Sequence, residues 1–374
     1  MIQWTEAGAT RSARWRSEAG LPPPKRVVIV DDRTTADAAY HMACAGTAML
    51  WRGDFQNARQ LLQAMARRVD QPPRTARPAA ASKQDAFNKY RLARSQRARA
   101  LGMLLLQFEE DHTLRLRRSP DVRGACVEVY GPATERYVAS MRELLGLIGA
   151  HEWRKKGIEI PILGARIHPH YGVFAPVRSE YVKLVAEAPL PTTELAFDIG
   201  TGTGVLAVVL AQRGVARVIA TEHDARALEC ARDNIERLNL SSRIEVLQAD
   251  LFPPGRAPLV VCNPPWVPAR PASPMERAIY DPDSRMLHAF LDGLSTHLTP
   301  AGEGWLVLSD LAEHLGLRTR DELLKAIDKA GLTVLERAQV RPTHPKASSS
   351  SDALHVARAA EMTSLWRLAA TTGH

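Results

Sequence analysis

Short apolar runs recur through the second half of the chain, separated by longer segments of helical character. Leu195-Ala-Phe-Asp198, Val218-Ile-Ala-Thr221, Ile244-Glu-Val-Leu247, Leu259-Val-Val-Cys262 and Gly304-Trp-Leu-Val-Leu-Ser309 are apolar almost throughout, not at alternate positions. Strands of that kind are buried on both faces, which predicts a parallel sheet covered by helices on either side. Two later runs, 332–340 and 363–368, flank a loop holding Pro342, Pro345 and the serines Ser348 to Ser351, and predict a hairpin that adds an antiparallel final strand. Ahead of the sheet, 157–160 and 165–168 predict a small hairpin.

The first half carries a weaker pattern. Arg26-Val-Val-Ile-Val-Asp31, bounded by a triple proline and a second aspartate, predicts a buried strand after an irregular start. Ala39, Met42, Leu50, Phe55, Leu61, Leu62 and Met65 recur mostly at helical steps, so 35–69 predicts helix with a break near Gly53-Asp54. A loop over 71–82, rich in Pro, Ala and Arg, and a helix over 83–106 follow. Strands at 112–116 and 125–130, joined around Ser119-Pro120-Asp121, and an amphipathic helix over 133–149 complete a mixed α+β region. The expected division is 1–150, an N-terminal α+β domain that recognises the substrate, and 151–374, an α/β domain.

A chain of 374 residues accommodates two domains. Its 45% apolar and 24% charged content is that of a globular protein, and no apolar stretch approaches the ~20 residues of a spanning helix. The first 24 residues lack the apolar segment of a secretory signal. Cys44, Cys126, Cys230 and Cys262 stand far apart without a C-x-x-C pair, which argues against a zinc site or a disulfide framework and for a reducing cytoplasm. His168 and His170 flank Pro169 with no third ligand nearby and read as loop or strand-edge histidines; no metal is expected.

The net charge of +8 is concentrated. Residues 52–118 hold fifteen Lys/Arg against six Asp/Glu, and Arg91, Arg94, Arg97 and Arg99 fall within three turns of one predicted helix. Contact with RNA, DNA or a ribosome is one reading; the solvated face of an arginine-rich protein is the other.

Chemistry enters at Asp198-Ile-Gly200-Thr201-Gly202-Thr-Gly204, which follows a predicted strand and opens a helix. Glycines there permit positive φ and close approach of backbone to a ligand, and a helix start offers unpaired N–H groups. A dinucleotide-binding dehydrogenase would show G-x-G-x-x-G; here the glycines stand at three alternate positions. Asn263-Pro264-Pro265-Trp266 closes the fourth strand. Prolines there stiffen the turn and remove competing donors, and Trp266 offers a flat face for stacking.

The D-x-G-x-G-x-G run resembles the first motif of class I S-adenosylmethionine-dependent methyltransferases, which implies a Rossmann-like seven-stranded methyltransferase sheet and S-adenosyl-L-methionine as cofactor. The resemblance further implies that Glu222, eighteen residues beyond Gly204, accepts the ribose hydroxyls, that Asp250 accepts the adenine amino group and that Leu251 lies beside the ring. Asn-Pro-Pro-aromatic resembles the signature of enzymes that methylate exocyclic amino groups of bases or glutamine amides, which implies that the Asn263 side-chain oxygen and the Pro264 carbonyl each accept an N–H from that planar nitrogen and favour its developing sp3 character. Gly172-Val-Phe-Ala-Pro176-Val-Arg178-Ser-Glu180 is similar to a stretch of the release-factor glutamine methyltransferases of the HemK/PrmC type, within the methyltransferase small domain, although Trp266 stands where those enzymes have tyrosine. Expected, then, is an N-methyltransferase of RNA or a ribosome-associated target reached through the basic segment 52–118, with no membrane. Alternatives are a protein glutamine N5-methyltransferase, a small-molecule N-methyltransferase, and a non-catalytic cofactor- or RNA-binding protein.

Overall fold

The computed structural model describes residues 1–71, 80–273, 276–342 and 354–371. Most of the loop predicted over 71–82, and the serine-bearing connection from 343 to 353, lie outside the described residues. The contacts divide the chain into two compact units, Met1–Ala80 with Asn88–Glu152, and Ala81–Phe87 with Trp153–His374.

The chain opens with β1 (Ile2–Glu6) and β2 (Ala9–Trp15), an antiparallel pair where the sequence suggested irregular chain. Its two-residue turn, Ala7-Gly8, has positive φ at both positions, the geometry that matches the twist of a hairpin. Then come β3 (Arg26–Val30), α1 (Ala36–Cys44), β4 (Thr47–Trp51), α2 (Phe55–Val69), α3 (Lys83–Leu101), β5 (Leu104–Phe108), α4 (Arg123–Tyr130), β6 (Tyr137–Ser140) and α5 (Met141–Lys156). The six strands form one sheet in the order β1-β2-β6-β5-β4-β3, with β3, β4 and β5 parallel.

Several expectations for this unit need correction. The helix predicted over 35–69 is interrupted by β4, whose Ala48, Met49, Leu50 and Trp51 are buried; a short apolar run has no period that separates a buried strand from a helix. The break at Gly53-Asp54 is where Asp54 caps α2 by accepting from Gln56 N at 2.8 Å. The helix from 83 stops at Leu101, and 104–106 belongs to β5. Residues 112–116 form no strand, and 125–130 lie in α4, where burial of Ala125 and Cys126 overrides the strand preference of the valines. The helix predicted from 133 begins only at Met141, and β6 takes the residues just ahead of it. β3 is present but is an edge strand, mostly half-exposed.

The second unit follows the predicted alternation. β7 (Ile158–Ile160) and β8 (Ala165–Ile167) make the small antiparallel hairpin. Next in order are α6 (Glu180–Glu187), β9 (Leu195–Ile199), α7 (Val205–Gln212), β10 (Arg217–Glu222), α8 (Ala225–Arg237), β11 (Ile244–Gln248), β12 (Ala257–Cys262), α9 (Arg285–His297), β13 (Leu298–Ser309), α10 (Leu311–His314), α11 (Arg320–Lys329), β14 (Leu332–Val340), α12 (His355–Ala360) and β15 (Thr363–Ala370). Seven strands form a sheet in the order β11-β10-β9-β12-β13-β15-β14. β9 to β13 are parallel; β15 runs antiparallel between β13 and β14.

Neighbouring residues of β9 serve opposite layers: Ala196 packs with the helix α7, buried from Val205 to Ala211, and with α8, whereas Phe197 and Ile199 pack with Leu287, Phe290, Leu291 and Leu294 of α9. Successive connections leave β9 in one direction and β12 in the other, so a crevice opens outside the carboxyl ends of those two strands. Among the described residues no helix is long and apolar enough to cross a membrane.

Where α9 presses on the sheet there is no spare room. A Cβ on Gly304 of β13 would stand 2.3 Å from Leu294 Cδ2 and 3.0 Å from its Cγ. Gly304→Ala is therefore expected to lower unfolding stability in urea by about 1–3 kcal/mol; an unchanged midpoint would show that α9 can retreat from the sheet without cost.

Candidate functional site

Residues 200–204 turn the chain from β9 into α7. Gly200, Gly202 and Gly204 have φ of +68°, +57° and +82°, so the turn needs glycine at all three. Their surroundings differ. A Cβ at Gly204 would touch Ala231 of α8 at 3.5 Å, one at Gly200 would meet Met286 Cε at 2.5 Å, and one at Gly202 would enter open space. The turn is pinned from below: Asp198 is buried at the end of β9, and its Oδ2 accepts from Thr201 Oγ1 at 2.6 Å and from Ala207 N at 3.0 Å. Thr201 N donates to the Thr221 carbonyl of β10 at 2.9 Å.

Glu222, buried at the end of β10, closes the other side. Its Oε2 accepts from Gly202 N at 3.1 Å, and its Oε1 from His223 N at 2.9 Å and Asp224 N at 3.1 Å. A carboxylate oxygen can accept two hydrogen bonds, so Oε2 keeps one acceptor direction beside the loop. Beyond β11, the Asp250 side chain is exposed, and Leu251 adopts φ +80° with its carbonyl accepting from the Thr221 hydroxyl. The glycine turn is open-sided at Gly202 and has beside it a carboxylate with a spare acceptor direction, which fits the hydroxyl-bearing nucleoside end of S-adenosylmethionine.

Cys262 pairs in register with Ile199, so Asn263 leaves β12 beside the start of the glycine turn. Pro264 is buried, and Asn263, Pro265 and Trp266 are half-buried. Trp266 Nε1 donates to Asn263 Oδ1 at 2.8 Å. Because an indole nitrogen only donates, this bond turns the amide oxygen toward the ring, and that oxygen can still accept a second bond. The Trp266 ring itself lies edge-on to Tyr181, with Arg178 Cζ 5.6 Å from its centroid. The stacking role expected for Trp266 therefore shares the ring with Arg178.

Arg178 is anchored in turn. Nε donates to Glu180 at 2.8 Å, and Nη1 and Nη2 reach Glu361 at 3.3 and 3.1 Å. Glu361 is itself buried and takes the Ser309 hydroxyl at 2.7 Å. Burial works to deprotonate Arg178, but Glu361 and Glu180 outweigh it and raise its pKa. Sequence reasoning noted Arg178 and Glu180 only as part of a familiar stretch, and it missed Glu361. It missed Asn234 of α8 as well, a fully buried amide that donates to the Thr203 carbonyl at 3.1 Å and accepts from His168 N at 2.7 Å, tying the glycine turn to the chain leaving β8.

The basic segment is less free than its composition suggests. Arg52 is held by Glu6, Arg68 by Asp37, Arg97 by Asp70, Arg115 by Glu109 and Arg118 by Asp54. Of the four arginines read as one face of α3, Arg94 and Arg99 are exposed, Arg97 is paired and Arg91 is half-buried.

A seven-stranded sheet of this order with a glycine turn after its first strand is the architecture of an S-adenosylmethionine-dependent methyltransferase. Residues 165–330 match the family model described as methyltransferase small domain. A Bacteroides fragilis protein named tRNA1(Val) (adenine(37)-N6)-methyltransferase is 35% identical over 172 residues, 41% of this chain and 72% of that one. A protein of the same name from Shewanella loihica is 32% identical over 36% of this chain and 59% of that one. The release factor glutamine methyltransferase of Mycolicibacterium smegmatis is 41% identical over 33% of this chain and 44% of that one. This chain thus belongs to the methyltransferase small-domain family, and it spans from under half to about seven-tenths of the curated relatives named here. Among solved structures, a methyltransferase from Pyrococcus furiosus aligns over 60% of this chain and 98% of its own, at 19% identity and a TM-score of 0.43.

Burial pushes the Asp198 carboxyl up from 3.8 to about 6, with the charge of Glu222 adding to the rise and the bonds from Thr201 and Ala207 opposing it. A pKa raised by folding means that the protonated form is favoured, so this group's contribution to stability is full below about pH 4 and is lost as pH rises through about 6. Asp198→Asn removes the titration and can keep both accepted bonds. The stability of the variant relative to the native chain should grow by about 2–3 kcal/mol between pH 4 and pH 7.5. Parallel stability curves across that window would contradict the assignment.

Proposed function

We propose that the chain methylates an exocyclic amino nitrogen of a base in RNA, with S-adenosylmethionine as donor and in the cytoplasm. The observation that supports this reading is an amide acceptor of fixed orientation, Asn263 Oδ1 bonded to Trp266, at the end of the strand beside the one that carries the glycine turn. In the relatives named for adenine-N6 methylation the acceptor is a tRNA base, and the four unpaired cysteine thiols fit a reducing compartment.

Asp198, Gly200, Thr201, Gly202 and Gly204 would shape the donor's seat, Glu222 would accept its ribose hydroxyls, and Asp250 and Leu251 would flank its adenine. Bound there, the donor supplies an electrophilic methyl group. The chain's own task is to present a poor nucleophile, since the lone pair of an exocyclic amine is delocalised into the ring. Asn263 Oδ1 and the Pro264 carbonyl each take one N–H of that amine, which holds the nitrogen in line and concentrates its lone pair. Pro265 contributes no competing donor, and the part of Trp266 left uncovered by Arg178 receives the base. No side chain is needed as base, because the nitrogen becomes acidic as the new bond forms and its proton can pass to water.

Residues 1–150 would act as the substrate-recognition domain ahead of a catalytic domain at 151–374, with RNA meeting the exposed cations of segment 52–118. A protein glutamine acceptor is the second reading, favoured by the stretch from Gly172 to Glu180 and by the Mycolicibacterium relative.

Incubation of the protein and radiolabelled S-adenosylmethionine with a bacterial lysate tests the proposal. The expected label is RNase-sensitive, and it is absent with Gly202→Asp, whose side chain occupies the open side of the turn. Protease-sensitive label would move the acceptor to glutamine, and label in small molecules would overturn both readings.

A further inference from the structure

Forked arginine–carboxylate pairs recur in this chain. Arg52 with Glu6, Arg97 with Asp70, Arg123 with Asp121, Arg320 with Glu313 and Arg367 with Glu303 all use the same edge of the guanidinium, Nε and Nη2, to hold two oxygens at 2.7 to 3.0 Å. That edge matches the spacing of two oxygens on a carboxylate or phosphate.

Arg318 presents the same edge with no partner on it among the described residues. The residue is 7% exposed, its Nη1 lies 3.5 Å from Ser284 Oγ, and Nε and Nη2 are buried with no hydrogen-bond partner among the described residues. The carboxylates around it are committed elsewhere. Glu313 is forked by Arg320, Glu322 caps α11 through Thr319, and Asp281 Oδ2 takes the amides of Met286 and Leu287 at the start of α9. Burial lowers the pKa of Arg318, with Glu313 and Asp281 acting against it only through space. Buried polar groups are as a rule paired, so an empty fork calls for an occupant.

Its position says where that occupant comes from. Ser284 and Asp283 hold left-handed conformations, φ +53° and +57°, which strain residues other than glycine. The same segment touches both halves of the candidate site. Asp281 N donates to the carbonyl of Val267, the residue after Trp266, at 2.9 Å, and Met286 is the side chain that confronts Gly200.

We propose that the Nε–Nη2 edge of Arg318 receives an oxyanion of one of the two reactants, either the carboxylate of the methyl donor or a phosphate of the nucleic-acid acceptor. The inference rests on the methyltransferase reading, and its second source rests also on the RNA reading. Arg318 would anchor a reactant by a group remote from the transferred methyl, with Ser284 steering the guanidinium.

Two variants separate charge from shape: Arg318→Met keeps the volume, and Arg318→Lys keeps the charge but lacks the fork. Binding of S-adenosylmethionine and of 5′-methylthioadenosine, which lacks the carboxylate, is measured by titration, and methyl transfer is measured on bulk bacterial tRNA. If the donor carboxylate fills the fork, S-adenosylmethionine affinity falls about tenfold or more in both variants while that of methylthioadenosine does not change. If an acceptor phosphate fills it, donor affinity stays, KM for tRNA rises about tenfold at retained kcat, and the salt dependence flattens by about one unit. Unchanged donor affinity together with unchanged KM overturns the proposal. Should native protein transfer nothing to tRNA, the RNA reading fails by itself and the donor comparison alone decides about Arg318. Should Arg318→Met not fold, Arg318→Lys decides by the same measurements.

Discussion

The parallel pairing of β9 with β12 is the constraint on which the site depends. It sets Ile199 beside Cys262, so the two turns that follow, one built of glycines and one of prolines, emerge side by side from the same edge of the sheet. Because the helical connections diverge at this point, neither turn is covered by the helix that follows the other strand. The layers above and below make the pairing rigid: α7 is buried from Val205 to Ala211 on one face, and α9 meets Phe197 and Ile199 on the other. A sheet held in this way can keep polar groups in fixed places at its rim without those groups contributing to the core.

Charge at this rim is arranged in pairs that are themselves buried. Arg178 lies between Glu180 and Glu361 and over the Trp266 ring, and Trp266 carries the hydrogen bond to Asn263. The orientation of one amide thus depends on contacts that reach from the lead-in to α6 to the chain just before β15. A buried arrangement of this type adds little net stability, because desolvation offsets most of the attraction, but it is costly to break at one partner. Its consequence is a single well-defined geometry around Asn263.

The second unit was legible in the sequence because its strands are covered on both faces and are separated by turn residues; near-continuous apolar runs such as Leu259-Val-Val-Cys262 have few other homes. The glycine turn and the acid at the end of β10 were legible for a related reason, since each sits at a strand end that the pattern locates. In the first unit the same reasoning failed. The β4 run Thr-Ala-Met-Leu-Trp continues the helical spacing of α1 in sequence, and only Gly46 and Gly53 hint that it is a strand between two helices. Nothing local could have disclosed the contact from Arg178 to Glu361, 183 residues apart, or the empty fork of Arg318, since both are products of the fold.

If the Trp266 indole acts by fixing the acceptor oxygen of Asn263, the two residues form one unit in turnover. The decisive measurement is a double-mutant cycle of Trp266→Phe and Asn263→Ala, with kcat for methyl transfer and donor affinity read separately. The account predicts that each substitution lowers kcat at nearly constant donor affinity and that the double variant is no slower than Asn263→Ala alone. Losses that multiply in the double variant would contradict it, and would leave Trp266 as a stacking surface independent of the amide.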